Sequence, residues 1–228
     1  MTPALVRQFR PDVILVAVGA RREAPSIPGI DRANVLSGDD LRSLLIGGDH
    51  NVATAKLSRA QRAMLAMGSL LGVSGRMTRV RGLSRRWMPV GKRVAVIGGG
   101  LVGVELAGFF AERGRDVSVL EETPTLAVEM ALPRRWRALH ELREHGVALL
   151  TEARVEALTD DSVVYSRDGE RRMLPADTVI LATGVRDNPG LAEDLAGLGA
   201  TVHLVGDCRA VGYLKGALMD AARVARTI

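Results

Sequence analysis

Short apolar runs that end on glycine or an acidic residue set the rhythm of this chain. Arg93-Val94-Ala95-Val96-Ile97 is one such run, and Gly98-Gly99-Gly100 follows it directly. Leu101 to Phe110 then carries Leu106, Phe109 and Phe110 at helical spacing, and Gly114 breaks the pattern. Asp116 to Leu120 reads as a second strand ending on Glu121. Pro133 suits the first residue of a helix, with Trp136, Leu139 and Leu142 as its expected buried face and Gly146 as its stop. Val147 to Leu150 reads as a third parallel strand. Next come Val155–Leu158, Val163–Tyr165 and Arg171–Leu174, with a turn at Arg167-Asp168-Gly169. This predicts a three-stranded antiparallel meander.

Two further runs resemble one another. Asp12 and Asp177 each precede an apolar stretch, Gly19 and Gly184 each close it seven positions later, and Arg21 and Arg186 follow. Continuous apolar runs of this kind suit strands buried on both faces of a parallel sheet. The repetition predicts two copies of one strand-and-turn unit. Between them, Ser37 to Asp40 reads as the cap of a short helix carrying Leu41, Leu44, Leu45 and Ile46. Residues 57–71 and 78–87 read as two more helices, the second rich in arginine. That basic stretch is either a solvated helix face or, functionally, a docking surface or a clamp for an anionic cofactor. Leu191–Leu198, the strand Val202–Val205 and a closing helix from Leu214 to Ile228 complete the pattern.

Gly98, Gly100 and Gly103 fit G-x-G-x-x-G between a strand and a helix. The first glycine permits the tight turn, the second admits a pyrophosphate to the backbone, and the third lets helix and strand pack closely. Phosphate then sits at the helix N-terminus, where unpaired N–H groups and the helix dipole favour an anion. Glu121, about 20 residues on at the end of the next strand, is where a carboxylate accepts hydrogen bonds from an adenosine ribose. The combination predicts a dinucleotide site. Glycines that serve packing alone are the plainer alternative.

Composition changes little. The chain has 228 residues, 47% hydrophobic and 3% aromatic, with a formal charge of +5. Its cations are spread along the chain with few aromatics to stack on bases, so nucleic acid is not expected as a partner. Cys208 is the only cysteine, which rules out a disulfide, a dithiol relay or a cysteine-built metal site within one chain. No secretory pattern or membrane-length apolar run stands in the sequence, and the expected compartment is the reducing cytoplasm. His140 and His145 are five residues apart and do not share a helix face, so no metal site is expected. Ser26, Ser69 and Ser166 lack a nucleophile context. Cys208 is read as a small buried residue rather than a group beside a cofactor, and Tyr213 as either packing or stacking. No catalytic residue is assigned.

The glycine turn from Gly98 to Glu105, Glu121, the meander, the paired Asp-to-Gly strands and Gly206-Asp207 together resemble a flavoprotein family. In it an NAD(P)-binding unit is inserted into an FAD-binding unit (the pyridine nucleotide-disulfide oxidoreductase type). Within it, Glu129 to Trp136 is similar to the C-terminal part of 2,4-dienoyl-CoA reductase and trimethylamine dehydrogenase relatives, whose N-terminal part is like old yellow enzyme. The resemblance implies an α/β chain with a Rossmann-like parallel sheet, the antiparallel meander and a partial second Rossmann-like unit. The expected division is residues 1–40 with 195–228 as the remnant of an FAD-binding domain, 41–91 as a helical insertion and 92–194 as the NAD(H)-binding domain. It implies that Gly98, Gly99, Gly100, Leu101, Val102 and Gly103 cradle a pyrophosphate, that Glu105 lies near the nicotinamide end, and that Glu121 and Glu122 lie at the adenosine ribose. Thr183 and Gly184 border the crevice, and Gly206 and Asp207 face the ribityl chain of a flavin. A carboxylate at 121 repels a 2′-phosphate and favours NADH over NADPH, although Arg134 and Arg135 leave NADPH open. The expected function is the NADH-binding portion of an FAD-dependent oxidoreductase, by itself catalytically incomplete, passing hydride from NADH to a flavin. The alternative is a non-catalytic ADP- or nucleotide-binding module. The family's earlier glycine turn for FAD precedes Met1, so FAD is the less secure cofactor. The strand edge left uncovered invites another chain, whether a second copy or a separate barrel or FAD segment.

Overall fold

Five parallel strands form the core of the larger of two units in the computed structural model, which describes residues 3–22, 24–38, 40–41 and 90–228. In chain order they are β3 (Val35–Ser37), β4 (Arg93–Ile97), β5 (Asp116–Leu120), β6 (Ala148–Leu150) and β10 (Thr178–Leu181), arranged β3-β10-β4-β5-β6. Side chains alternate across each strand, and both faces are covered. Val94, Val96, Val117, Val119 and Ile180 pack beneath α2 (Leu101–Ala111) and α3 (Leu132–Glu144), which contribute Val104, Ala107, Phe110 and Leu142. On the opposite face Val35, Ala95, Ile97, Leu120 and Val179 pack with Leu158, Val163 and Tyr165 of the meander. That two-sided burial is why β4 and β5 read as unbroken apolar runs rather than alternating ones.

The meander is β7 (Arg154–Leu158), β8 (Ser162–Arg167) and β9 (Glu170–Pro175). Arg167 pairs with Glu170 across the two-residue turn Asp168-Gly169, and both turn residues have positive φ (55° and 77°). Such a turn matches the twist of the strands it joins. At the end of β3, Ser37 and Asp40 form a reciprocal cap. The Ser37 N–H donates to Asp40 Oδ2 (2.8 Å), and the Asp40 N–H donates to Ser37 Oγ (3.1 Å). The helices expected at 57–71 and 78–87, and the body of the 41–91 insertion, lie outside the described residues.

The smaller unit joins Met1–Glu23 to Gly184–Ile228. It holds α1 (Pro3–Phe9), β1 (Val13–Val16), β2 (Arg21–Arg22), β11 (Val185–Arg186), α4 (Gly190–Leu195), β12 (Thr201–Leu204) and α5 (Tyr213–Val224). β1 pairs in parallel with β12, and β2 pairs antiparallel with β11, so that Arg21 faces Arg186. The two copies of the repeat therefore meet where each run has passed its glycine. The larger unit is Ala24–Thr183. These limits differ from the boundaries at 40 and 195 expected from the sequence, for two reasons. β3 pairs with β10 in the large sheet, and β11 and α4 belong with the smaller unit.

Two expectations about burial are corrected. β1 is not buried on both faces: Ile14 and Val16 are buried with Val6, Leu195 and Cys208, while Leu15 is 54% exposed. Trp136 is 71% exposed and stacks on His140 instead of packing inward with Leu139 and Leu142. Each residue of a helix turns about 100°, so two steps of three carry Trp136 about 120° away from Leu142. No helix among the described residues is long and apolar enough to cross a membrane.

Asp177, at the head of the later copy, has a structural role. Its carboxylate accepts the Arg93 backbone N–H (2.8 Å) and the Arg93 guanidinium (Nε, 3.0 Å), fastening the start of β10 to the start of β4. The Arg93 hydrogen bonds hold the Asp177 carboxyl below its ordinary range. Because the folded value is the lower one, the stabilisation is complete above the unfolded carboxylate value, about 3.9, and is lost as pH falls through the folded value. In urea unfolding, Asp177→Asn is expected to be less stable than the parent at pH 7, with the gap closing as the pH is lowered through that window. Phe110 is 1% exposed and packs edge-on to Phe109 at 5.4 Å. Phe110→Ala is expected to cost about 3–5 kcal/mol in the same measurement.

Candidate functional site

The chain turns immediately after β4. Gly98 has φ +101°, and its N–H donates to the Leu120 carbonyl (2.8 Å), tying the turn to the end of β5. A side chain at 98 is strained by that φ and presses on the backbone of Ala182 and on Thr183 N. Gly103, in the first turn of α2, lies against the Gly98 carbonyl, and a Cβ added there overlaps that oxygen. The helix thus rests directly on the turn, with Gly100 as its N-cap (φ −68°, ψ −171°) and without a capping side chain of its own. The N–H groups of Leu101, Val102 and Gly103 open the helix and have no acceptor within it.

Glu121 reaches this turn from the end of β5. Its Oε2 accepts the Gly99 N–H (2.6 Å), while Oε1 accepts the Thr123 N–H (2.9 Å) and hydroxyl (2.8 Å). An ionised carboxylate offers about four acceptor sites, and these three bonds leave one. Leu126 packs over Gly99, where a Cβ would overlap it, and the Ala127 N–H donates to the Gly99 carbonyl (2.7 Å). Ala127 is buried with φ +49°, a conformation few side chains adopt. Beyond it, Glu129 turns back so that Oε2 accepts the Leu101 N–H (3.2 Å).

The remaining predicted residues divide between the two units. Glu105, one turn into α2, is ion-paired with Arg134 of α3, and Glu122 pairs with Arg154 at 3.6 Å. Gly98 to Gly103, Glu121 and Thr183 are brought together in the larger unit. Gly184, Gly206 and Asp207 belong to the smaller one. There the Gly206 N–H donates to the buried Asp220 (3.1 Å), which also takes Arg209 Nε (2.8 Å). The Arg209 guanidinium holds the Asp220 carboxyl below its ordinary range. Asp207 Oδ1 accepts the Gly212 N–H (3.0 Å). Cys208 is buried, its thiol donating to the Val16 carbonyl (3.1 Å).

Sequence reasoning missed Thr123, Leu126 and Ala127, and took Glu129 only as part of a similar stretch. The signal available was the length of the segment between β5 and Pro133, which is long enough to fold back over the turn. The glycine turn fits a pyrophosphate. It presents backbone without side chains at the start of an 11-residue helix, and a carboxylate already lies at one of its amides. The described residues of the smaller unit contain no second turn of that spacing.

Residues 6–203 match the family described as pyridine nucleotide-disulphide oxidoreductase. The chain is 40% identical over 126 residues to a bilirubin reductase of Mediterraneibacter gnavus, covering 55% of this chain and 20% of that protein. It is 33% identical over 135 residues to a nitric oxide reductase FlRd-NAD(+) reductase of Escherichia coli, covering 51% of this chain and 35% of the relative. The chain therefore spans well under half the length of these relatives. Among solved structures it is similar in fold to 2-naphthoyl-CoA reductase (TM-score 0.70, 21% identity, all of this chain and 28% of that one). It is similarly related to histamine dehydrogenase from Rhizobium sp. 4-9 (TM-score 0.70, 16% identity, all of this chain and 32% of that one). The family is one of flavin-dependent oxidoreductases that use NAD(P)H, and the mixed α/β fold agrees with it. By its match over residues 6–203, the chain belongs to the pyridine nucleotide-disulphide oxidoreductase family.

Proposed function

We propose that residues 24–183 bind NADH, and that the chain is the nicotinamide-binding portion of a flavin-dependent reductase. The observation that carries this reading is the 2.6 Å bond between the Gly99 N–H and the carboxylate of Glu121. It sets the acid beside the glycine turn, with one acceptor site left for a ribose hydroxyl. In this reading the amides at the start of α2 receive the pyrophosphate, Gly100 admits it to the backbone, and Glu105 lies toward the nicotinamide. Bound NADH would supply a hydride at its nicotinamide ring. This chain's own residues bind and orient the dinucleotide. Asp207 and Gly206 of the smaller unit are read as flavin-facing, with the buried Asp220–Arg209 pair holding their turn. The stretch Glu129 to Trp136 supports a kinship with the 2,4-dienoyl-CoA reductase and trimethylamine dehydrogenase relatives.

The same geometry favours NADH over its 2′-phosphorylated form. Glu121 repels a phosphate at the ribose, and of the two arginines that would favour one, Arg134 is engaged with Glu105. Calorimetric titration of the purified chain is expected to show NADH binding at least about tenfold more tightly than NADPH, roughly 1.4 kcal/mol. Circular dichroism establishes that the fold is intact. Absence of NADH binding by folded protein overturns the proposal. ADP binding as tightly as NADH, with no flavin reduction on adding FAD, would instead identify a nucleotide-binding module without nicotinamide chemistry.

A further inference from the structure

Glu129 holds the position at which an incoming phosphate has to arrive. Its Oε2 accepts the Leu101 N–H (3.2 Å), and its Oε1 lies 3.0 Å from where a Gly100 Cβ would stand. Those two residues are the N-cap and first residue of α2. Gly100 brings no side chain to the helix end, and in this structure Glu129 supplies the anion that the dipole favours. The segment that delivers it is anchored independently of the carboxylate. The buried Leu126 packs on Gly99, the Ala127 N–H donates to the Gly99 carbonyl, and the Met130 N–H donates to the Ala127 carbonyl (3.0 Å) with Met130 buried. Ala127 at φ +49° provides the bend that aims residue 129 back at the helix. Glu129 itself is exposed, so its side chain is free to swing outward while the anchored backbone stays in place.

We infer that Glu129 is an internal anion competing with the pyrophosphate for the first amides of α2, so that dinucleotide binding exchanges one anion for another at that helix end. This inference rests on the proposed dinucleotide site and adds a control on it. The carboxylate lowers affinity for any ligand bearing a phosphate at α2 and leaves affinity for a nucleoside alone unaffected.

The test compares parent protein with Glu129→Gln, which keeps an oxygen for Leu101 and removes the charge, and with Glu129→Ala. Circular dichroism checks that each is folded. ADP is expected to bind Glu129→Gln about two- to fivefold more tightly than the parent, the size of a surface charge effect at a helix end. Adenosine is expected to bind all three proteins equally. Separately, the Leu101 amide resonance of the ligand-free parent should move as acid titrates the carboxylates. That movement should be smaller in Glu129→Gln than in the parent. Equal ADP affinity for parent and Glu129→Gln overturns the inference while leaving the dinucleotide site standing. So does a Leu101 amide whose pH response is unchanged by the substitution. If no folded variant binds ADP, the dinucleotide site fails and the competition fails with it, whatever the Leu101 resonance does.

Discussion

The carbonyl oxygen of Gly98 occupies the place that a side chain at residue 103 would need. That one contact sets α2 down on the turn after β4, and the geometry of the site follows from it. It fixes where the helix begins, and hence where the unpaired amides and the positive end of the dipole lie. It also leaves the turn narrow enough for Glu121 to reach Gly99 from the neighbouring strand.

The parallel sheet provides the other half of the arrangement. β4 and β5 pair in register from Arg93 with Asp116 to Ile97 with Leu120, so the two strands end side by side. The glycine turn leaves one end and Glu121 the other, and the Gly98 N–H joins them through the Leu120 carbonyl. Ligands gather beyond the carboxyl ends of such strands because side chains and helix ends converge there without disturbing the buried ladder.

Much of this was legible beforehand because its causes are local. The glycine spacing, the apolar runs of β4 and β5, the Asp168-Gly169 hairpin and the Ser37 cap each follow from a few adjacent residues. What was not legible depends on residues distant in sequence. Asp12 and Asp177 open the same pattern, yet β10 lies between β3 and β4 and is buried. β1 pairs with β12 and leaves Leu15 exposed. The pattern specifies a strand and leaves its neighbours unspecified. Trp136 was misplaced for a related reason, since a hydrophobic residue at the margin of a helix face turns inward only if something covers it. Ala127 gave no warning at all, because alanine at positive φ is selected by surrounding contacts rather than by its own preference.

Charge near the turn runs against the composition of the chain. A protein of net charge +5 places Glu105, Glu121, Glu122 and Glu129 around a turn whose chemistry suits an anion. The acids are held in two ways. Glu121 and Glu129 accept backbone N–H groups, whereas Glu105 and Glu122 meet the guanidinium groups of Arg134 and Arg154. The arginine pairs are exposed and contribute little to stability. Their effect is to cancel charge at the edge of the site, whereas among the described residues the two amide-bound carboxylates have no ion pair. Of these, Glu121 is fixed by three hydrogen bonds to the turn and to Thr123, while Glu129 has one bond to the helix end and an exposed side chain. The structure thus pairs a carboxylate held by three hydrogen bonds with one held, among the described residues, by a single bond at the helix end. The difference between them arises from the backbone that carries each, a strand end in one case and a folded-back loop in the other.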